Sequence, residues 1–159
     1  MPKQEALADL GDLRWHFIGR LQANKVRAVV KAFSWIHSID SLALAERSSR
    51  IALEEGRRPS VLFQVKLRPD PSKGGWDPRS LREAWPALSQ LPGLSVSGLM
   101  TMAPLGLDLE ERQSLFRECR NLVDEFDLAQ CSMGIESPCT WKLRGLETIY
   151  PNMRVISTS

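Results

Sequence analysis

The side chains able to do chemistry are few, and they sit in short apolar runs. His16 lies in WHFIG at 15–19, and His37 and Ser38 lie in WIHSID at 35–40. Met100 and Met102 close LSVSGLMTM at 94–102, and Ser132, Met133 and Gly134 close QCSMG at 130–134. A serine within hydrogen-bond reach of a histidine suggests nucleophilic chemistry. Neighbours along a strand point to opposite faces, so His37 and Ser38 cannot form that pair within their own run. The same alternation sets His16 and Ile18 on one face, with Trp15, Phe17 and Gly19 on the other, and groups Ser38 with Ile36 and Asp40. Asp40 reads more simply as a helix cap than as an acid, although strand ends are where α/β proteins gather ligand groups. The methionines suit gap-filling in a core.

Metal and phosphate-loop chemistry find little support. Cys119, Cys131 and Cys139 are three thiols without a CxxC pair, and the two histidines lie far from them. A structural zinc site needs about four ligands at close paired spacings, so reduced, buried thiols are expected. GxGxxG and GxxxxGK[ST] are both absent. Gly74-Gly75 after Lys73 lacks a following helix start in phosphate-loop register, which leaves a flexible turn as the expectation.

The elements that must position these groups alternate. Strand-like runs begin near 15, 35, 61, 94 and 130, with amphipathic stretches between them. Positions 21–33 have apolar residues at helical spacing, and 42–55 form a helix with Glu46 four residues before Arg50 and Gly56 at its C-terminal end. Asp77-Pro78 is a helix opening, and Pro86 predicts a kink or an early stop in that helix. Asp108 with Glu111 resembles a capping box in front of a helix carrying Leu115, Phe116, Cys119, Leu122, Val123 and Phe126 on one face. Strand–helix alternation of this kind predicts an α/β protein with a parallel sheet. Period alone leaves an open doubly wound sheet and a (β/α) barrel as alternatives.

Composition narrows the class. The 159 residues carry 21 basic and 19 acidic side chains and are 43% hydrophobic, which suits one globular domain. No run approaches the roughly 20 apolar residues of a membrane span, and the N-terminus lacks the order of a secretory signal, so a cytoplasmic protein is expected. Basic side chains outnumber acidic ones 15 to 10 over 1–100, and the excess reverses to 3 against 8 over 101–136. The basic residues are spread along helical patterns rather than in a stripe, so neither nucleic acid nor a membrane surface is an expected partner.

Taken together, WHFIGRLQANK at 15–25, HSID at 37–40, SKGGW at 72–76, GLMTMAP at 98–104 and CSMG at 131–134 resemble the pyridoxal-phosphate homeostasis proteins. These are single-domain relatives of the alanine racemase N-terminal barrel. The resemblance covers about 1–134 as a partial TIM-type (β/α) barrel of about five parallel strands, and leaves 135–159 as a divergent C-terminal tail. It implies pyridoxal 5'-phosphate as cofactor, held at the C-terminal strand ends. Matched residue by residue, His16, Ile18, Gly19 and Asn24 fall near the cofactor mouth and Ser38 on the next strand. Met100 and Met102 fall beside the ring, and Ser132, Met133 and Gly134 on the phosphate side.

The departures bear on function. The family's Schiff-base lysine stands in an AVSK-type first strand, followed by a GENxVQE-type second strand, and neither segment occurs in this sequence. Lys25 matches a different family position and is not a substitute. Arg144-Gly145 comes too soon to be the family's Arg-Gly phosphate cradle. A complete barrel takes about 250 residues. The expectation is therefore a chain truncated at its N-terminus, with a replaced or frame-shifted tail, non-catalytic and weakened in cofactor binding. The alternative is a scaffold or interaction fragment that binds no cofactor and self-associates through open sheet edges. An open-sheet nucleotide binder is disfavoured by the missing glycine fingerprints.

Overall fold

The structure, a computed structural model, describes residues 14–70 and 73–135. Most of the segment expected as a divergent tail, from 136 onward, lies outside the described residues. Five strands are present: β1 (His16–Phe17), β2 (Trp35–Ile39), β3 (Ser60–Gln64), β4 (Ser95–Ala103) and β5 (Gln130–Ile135). Four helices connect them: α1 (Val26–Ala32), α2 (Leu42–Glu54), α3 (Pro78–Leu88) and α4 (Leu109–Glu125). Every neighbouring pair is parallel and the spatial order equals the chain order, which makes a curved half-barrel with its helices outside. None of the described helices is long and apolar enough to cross a membrane.

Local chemistry explains most boundaries. The helix predicted from residue 21 starts only at Val26, because Gln22 to Lys25 turns the chain, with Lys25 N donating to Gln22 O at 2.9 Å. Val26, Val29 and Val30 then form its buried stripe. Asp77 accepts from the N–H groups of Arg79 and Ser80, with Pro78 at the first helical position. Helix α3 runs through Pro86, whose missing N–H leaves the preceding turn without one bond, and ends at Leu88, where Ser89 N donates to Trp85 O at 2.9 Å. Asp108 and Glu111 complete the expected capping box of α4. Gly56, at φ +61°, ends α2 in the left-handed conformation that favours glycine. Within α2, Arg50 pairs with Glu54 at 2.6 Å, a turn beyond the anticipated partner Glu46. Glu54 and its neighbour Glu55 both bond Arg27 of α1, and this second attraction draws the basic cluster toward the C-terminal end of α2.

The core lies between the sheet and its helices. Phe63 of β3 packs edge-on against Trp85 of α3, and Trp85 lies 4.3 Å from the ring of Phe126 at the end of α4. Leu81, Leu88 and Leu115 are fully buried on the same side. Each contributes about 2–3 kcal/mol by leaving water. The other face of the sheet is concave, and its register rows are Leu62, Gly98 and Gln130, then Gln64, Met100 and Ser132, then Met102 and Gly134.

The segment expected as a flexible turn is strapped to the sheet instead. Trp76 N donates to Gln64 O and Lys66 N donates to Trp76 O, both at 2.8 Å, so Trp76 forms a parallel bridge to Val65. The Trp76 indole N–H donates to Ile39 O at 3.3 Å, and Gln64 Nε2 donates to Gly74 O at 3.0 Å. Gly75, at φ +143°, adopts a conformation that favours glycine, and a Cβ on Gly74 would displace the Asp40 carboxylate.

Candidate functional site

The concave face holds a hydrogen-bonded chain of three polar side chains from three strands. His16 Nδ1 of β1 lies 2.9 Å from His37 Nε2 of β2, and His37 Nδ1 lies 3.2 Å from Ser132 Oγ of β5. Strands β3 and β4 stand between β2 and β5 in the sheet. A direct side-chain contact over that gap is possible only inside a curved sheet, so the His37–Ser132 bond marks the barrel interior. Trp35 stacks on His16, with ring centroids 5.2 Å apart and planes 8° from parallel.

Burial governs the protonation of both rings. Desolvation, helped by the nearby Arg14 charge, lowers the pKa of His16 from 6.5 to about 4. Desolvation and the neighbouring His16 lower that of His37 to about 4 as well. Both imidazoles are neutral at pH 7. His37 is oriented by a neutral imidazole rather than a carboxylate, so the chain lacks the anionic third member that makes a serine strongly nucleophilic. It is suited to holding protons in place.

The candidate residues fall into groups. His16 and Ser132 belong to the chain just described. Ser38, 2% exposed, has no hydrogen-bond partner for its hydroxyl among the described residues. The register of β2 against β3 shifts between Ile36 and Ile39, and both isoleucines join the helix-side core, so strict alternation breaks around Ser38. Met100 is buried, and Met102 is half-buried opposite Gly134, where a Cβ would stand 2.7 Å from the Met102 sulfur. Glycine at 134 keeps that space open. Ile18 and Gly19 follow β1 directly, while Asn24 is exposed in the turn before α1. Met133 packs against the helix-side core, away from Ser132 and Gly134.

Two further features were not legible locally. His37 pairs not with its neighbour Ser38 but with a serine 95 positions away. No local pattern signals that pairing. The C-terminal strand ends also collect cationic side chains: Lys66, Arg68 and Lys73 line a narrow cleft with Gln64 and Met102. Lys73 faces Asp70 at 3.9 Å and Arg68 bonds Glu118 at 2.7 Å. A larger cleft of about 830 Å³ opens between the residues after β1 and the start of α2, where Arg20, Asp40 and Arg47 meet. Polar groups thus converge at one end of the sheet, as ligand sites of parallel α/β folds do.

The family model for the alanine racemase N-terminal domain matches residues 4–136. A pyridoxal phosphate homeostasis protein from Synechocystis is 46% identical over 141 residues, which cover 85% of this chain and 65% of the relative. Its counterpart from Aquifex aeolicus is 38% identical, with coverage of 85% and 61%. Among solved structures, PipY of Synechococcus elongatus without pyridoxal phosphate superposes with a TM-score of 0.80 at 45% identity, covering 84% of this chain and 73% of PipY. PipY with pyridoxal phosphate bound gives 0.78 at 44% identity. The chain spans somewhat under two thirds of the length of these curated relatives.

Proposed function

Since this chain belongs to the alanine racemase N-terminal domain family, we propose that it is a cytoplasmic, non-catalytic pyridoxal phosphate-binding protein of vitamin B6 homeostasis. The cofactor sits at the C-terminal strand ends of a partial barrel over about 1–134, held by non-covalent contacts and therefore weakly. The observation that carries this reading is the concave face itself. It combines neutral imidazoles, a hydroxyl from Ser132 and the thioethers of Met100 and Met102, while none of the five described strands contains a lysine. Such a donor set fits a phosphorylated aromatic ring and offers no strand amine for a covalent bond to its aldehyde. The PipY structure with pyridoxal phosphate bound supports the ligand class. His16, Ile18 and Gly19 form the β1 side of the site, Asn24 and Ser38 its rim, and Ser132 and Gly134 the phosphate side.

The experiment mixes the purified chain with pyridoxal phosphate, reduces with borohydride and maps peptides by mass. Saturable but weak binding without a stoichiometric adduct is expected. A stoichiometric adduct on one lysine would overturn the non-covalent reading, and no saturable binding would overturn the ligand.

The sheet edges favour a second reading, self-association. Strand β5 pairs only with β4, and β1 only with β2, among the described residues. Exposed strand edges template pairing with another chain. Size-exclusion chromatography across a concentration series separates the cases, because an elution volume independent of concentration removes this reading.

A further inference from the structure

Among the described residues, the Ser132 hydroxyl has one hydrogen-bond neighbour, His37 Nδ1, and the other nitrogen of His37 faces His16 Nδ1. A neutral imidazole has one N–H and one bare nitrogen. Only two arrangements satisfy the whole chain. In the first, both rings carry their proton on Nε2: His37 Nε2–H donates to His16 Nδ1, and the Ser132 O–H donates to His37 Nδ1. In the second, both carry it on Nδ1: His16 Nδ1–H donates to His37 Nε2, and His37 Nδ1–H donates to Ser132 Oγ. Any mixed arrangement sets two protons or two lone pairs against each other between the rings.

The two arrangements present opposite polarities of Ser132. In the first the hydroxyl proton is engaged and the oxygen offers only lone pairs outward. In the second the hydroxyl is free to donate, as an anion requires. The Nε2–H form is the intrinsically favoured neutral tautomer of histidine, so the first arrangement is the resting one. Burial keeps both rings neutral, which confines the chain to these two states.

We propose that His16, His37 and Ser132 form a tautomer relay in which a phosphate group seated at Ser132 switches both imidazoles from Nε2–H to Nδ1–H. One proton enters at Ser132 Oγ from water or from the phosphate monoanion. The serine's own proton passes to His37 Nδ1, the His37 Nε2 proton passes to His16 Nδ1, and one proton leaves His16 Nε2 to water. Charge and atoms balance. His37 is then a positioning residue: it touches no ligand and sets the direction in which Ser132 donates. The inference rests on the phosphate-site reading of the concave face, and it adds a coupling. The outer nitrogen of His16 turns from donor to acceptor when phosphate binds, so two ends of the site read one another through a buried ring.

The test is nitrogen NMR of the full chain labelled at histidine, reading the scalar coupling and proton position across the His16–His37 hydrogen bond. The probes are inorganic phosphate, pyridoxal phosphate and unphosphorylated pyridoxal. Without ligand the proton is expected on His37 Nε2; saturating phosphate or pyridoxal phosphate moves it to His16 Nδ1, and pyridoxal does not. A proton already on His16 Nδ1 in the free protein, or one that stays on His37 when phosphate binds, overturns the relay. If inorganic phosphate moves the proton while pyridoxal phosphate fails to bind, the relay stands and the cofactor reading falls. If neither phosphate compound binds, both fall. H37N, whose amide can donate permanently to Ser132, should retain phosphate affinity, whereas H37L should lose about tenfold through the misdirected hydroxyl. Equal losses in both would count against the relay.

Discussion

The Sγ atoms of Cys119 in α4 and Cys131 in β5 stand 3.5 Å apart and share a hydrogen bond across the helix–sheet interface. That separation exceeds the roughly 2.05 Å of a disulfide, and both thiols are free. The hydrogen bond with the Cys131 sulfur, helped by burial, pushes the Cys119 thiol up, and the same bond holds Cys131 below its ordinary value.

Cys119 is fully buried and Cys131 is 9% exposed, so alkylation of the native protein should leave Cys119 unlabelled and label Cys131 slowly. Labelling of both should become rapid in denaturant. Peptide mass mapping over time reads the order, and native labelling of Cys119 ahead of Cys131 would contradict this packing.

Glycine-to-alanine substitutions should separate a rigid obstacle from a movable one. A Cβ on Gly98 would stand 2.0 Å from the Gln130 carbonyl oxygen, which is backbone of the paired strand. On Gly74 the obstacle is the Asp40 carboxylate, the end of a side chain that can rotate. G98A should therefore destabilise by about 3 kcal/mol or more, and G74A by about 1 kcal/mol. Urea midpoints measured side by side would show the difference, and comparable losses would mean that β4 and β5 can part cheaply.

The histidine pair predicts a pH dependence of stability. Both folded-state pKa values lie near 4, below the ordinary 6.5, so the unfolded chain binds more protons through that interval. Stability is complete above about pH 6.5 and declines as pH falls toward about 4. The double variant H16N/H37N should flatten this part of the curve relative to the parent. Urea denaturation at pH 7, 5.5 and 4.5 measures it, and an identical slope in parent and variant would show that other groups carry the acid sensitivity.

Much of the scaffold was readable from local chemistry. The caps at Asp77 and Asp108, the terminating Gly56 and the apolar stripe of α4 depend on residues within one or two turns of each other, so the spacing alone reveals them. The parallel sheet followed from alternation, since parallel strands need crossovers. The motifs around 15–25 and 98–104 carried the family, which the domain match over 4–136 shows.

The site itself was legible only in part. His16 and Ser132 were recognisable by motif, but the bond from His37 to Ser132 joins residues 95 positions apart, and it exists because the sheet curves through two intervening strands. Curvature comes from accumulated twist and packing, which no short window encodes. Gly74 and Gly75 looked like a flexible turn because their partners, Asp40, Gln64 and Lys66, come from two other segments of the chain. Sequence by itself determined which groups could act and the elements that carry them, because capping and periodicity are short-range. Which histidine meets which serine was decided by tertiary structure alone, since a hydrogen bond depends on distance in space and the curvature of the sheet sets that distance.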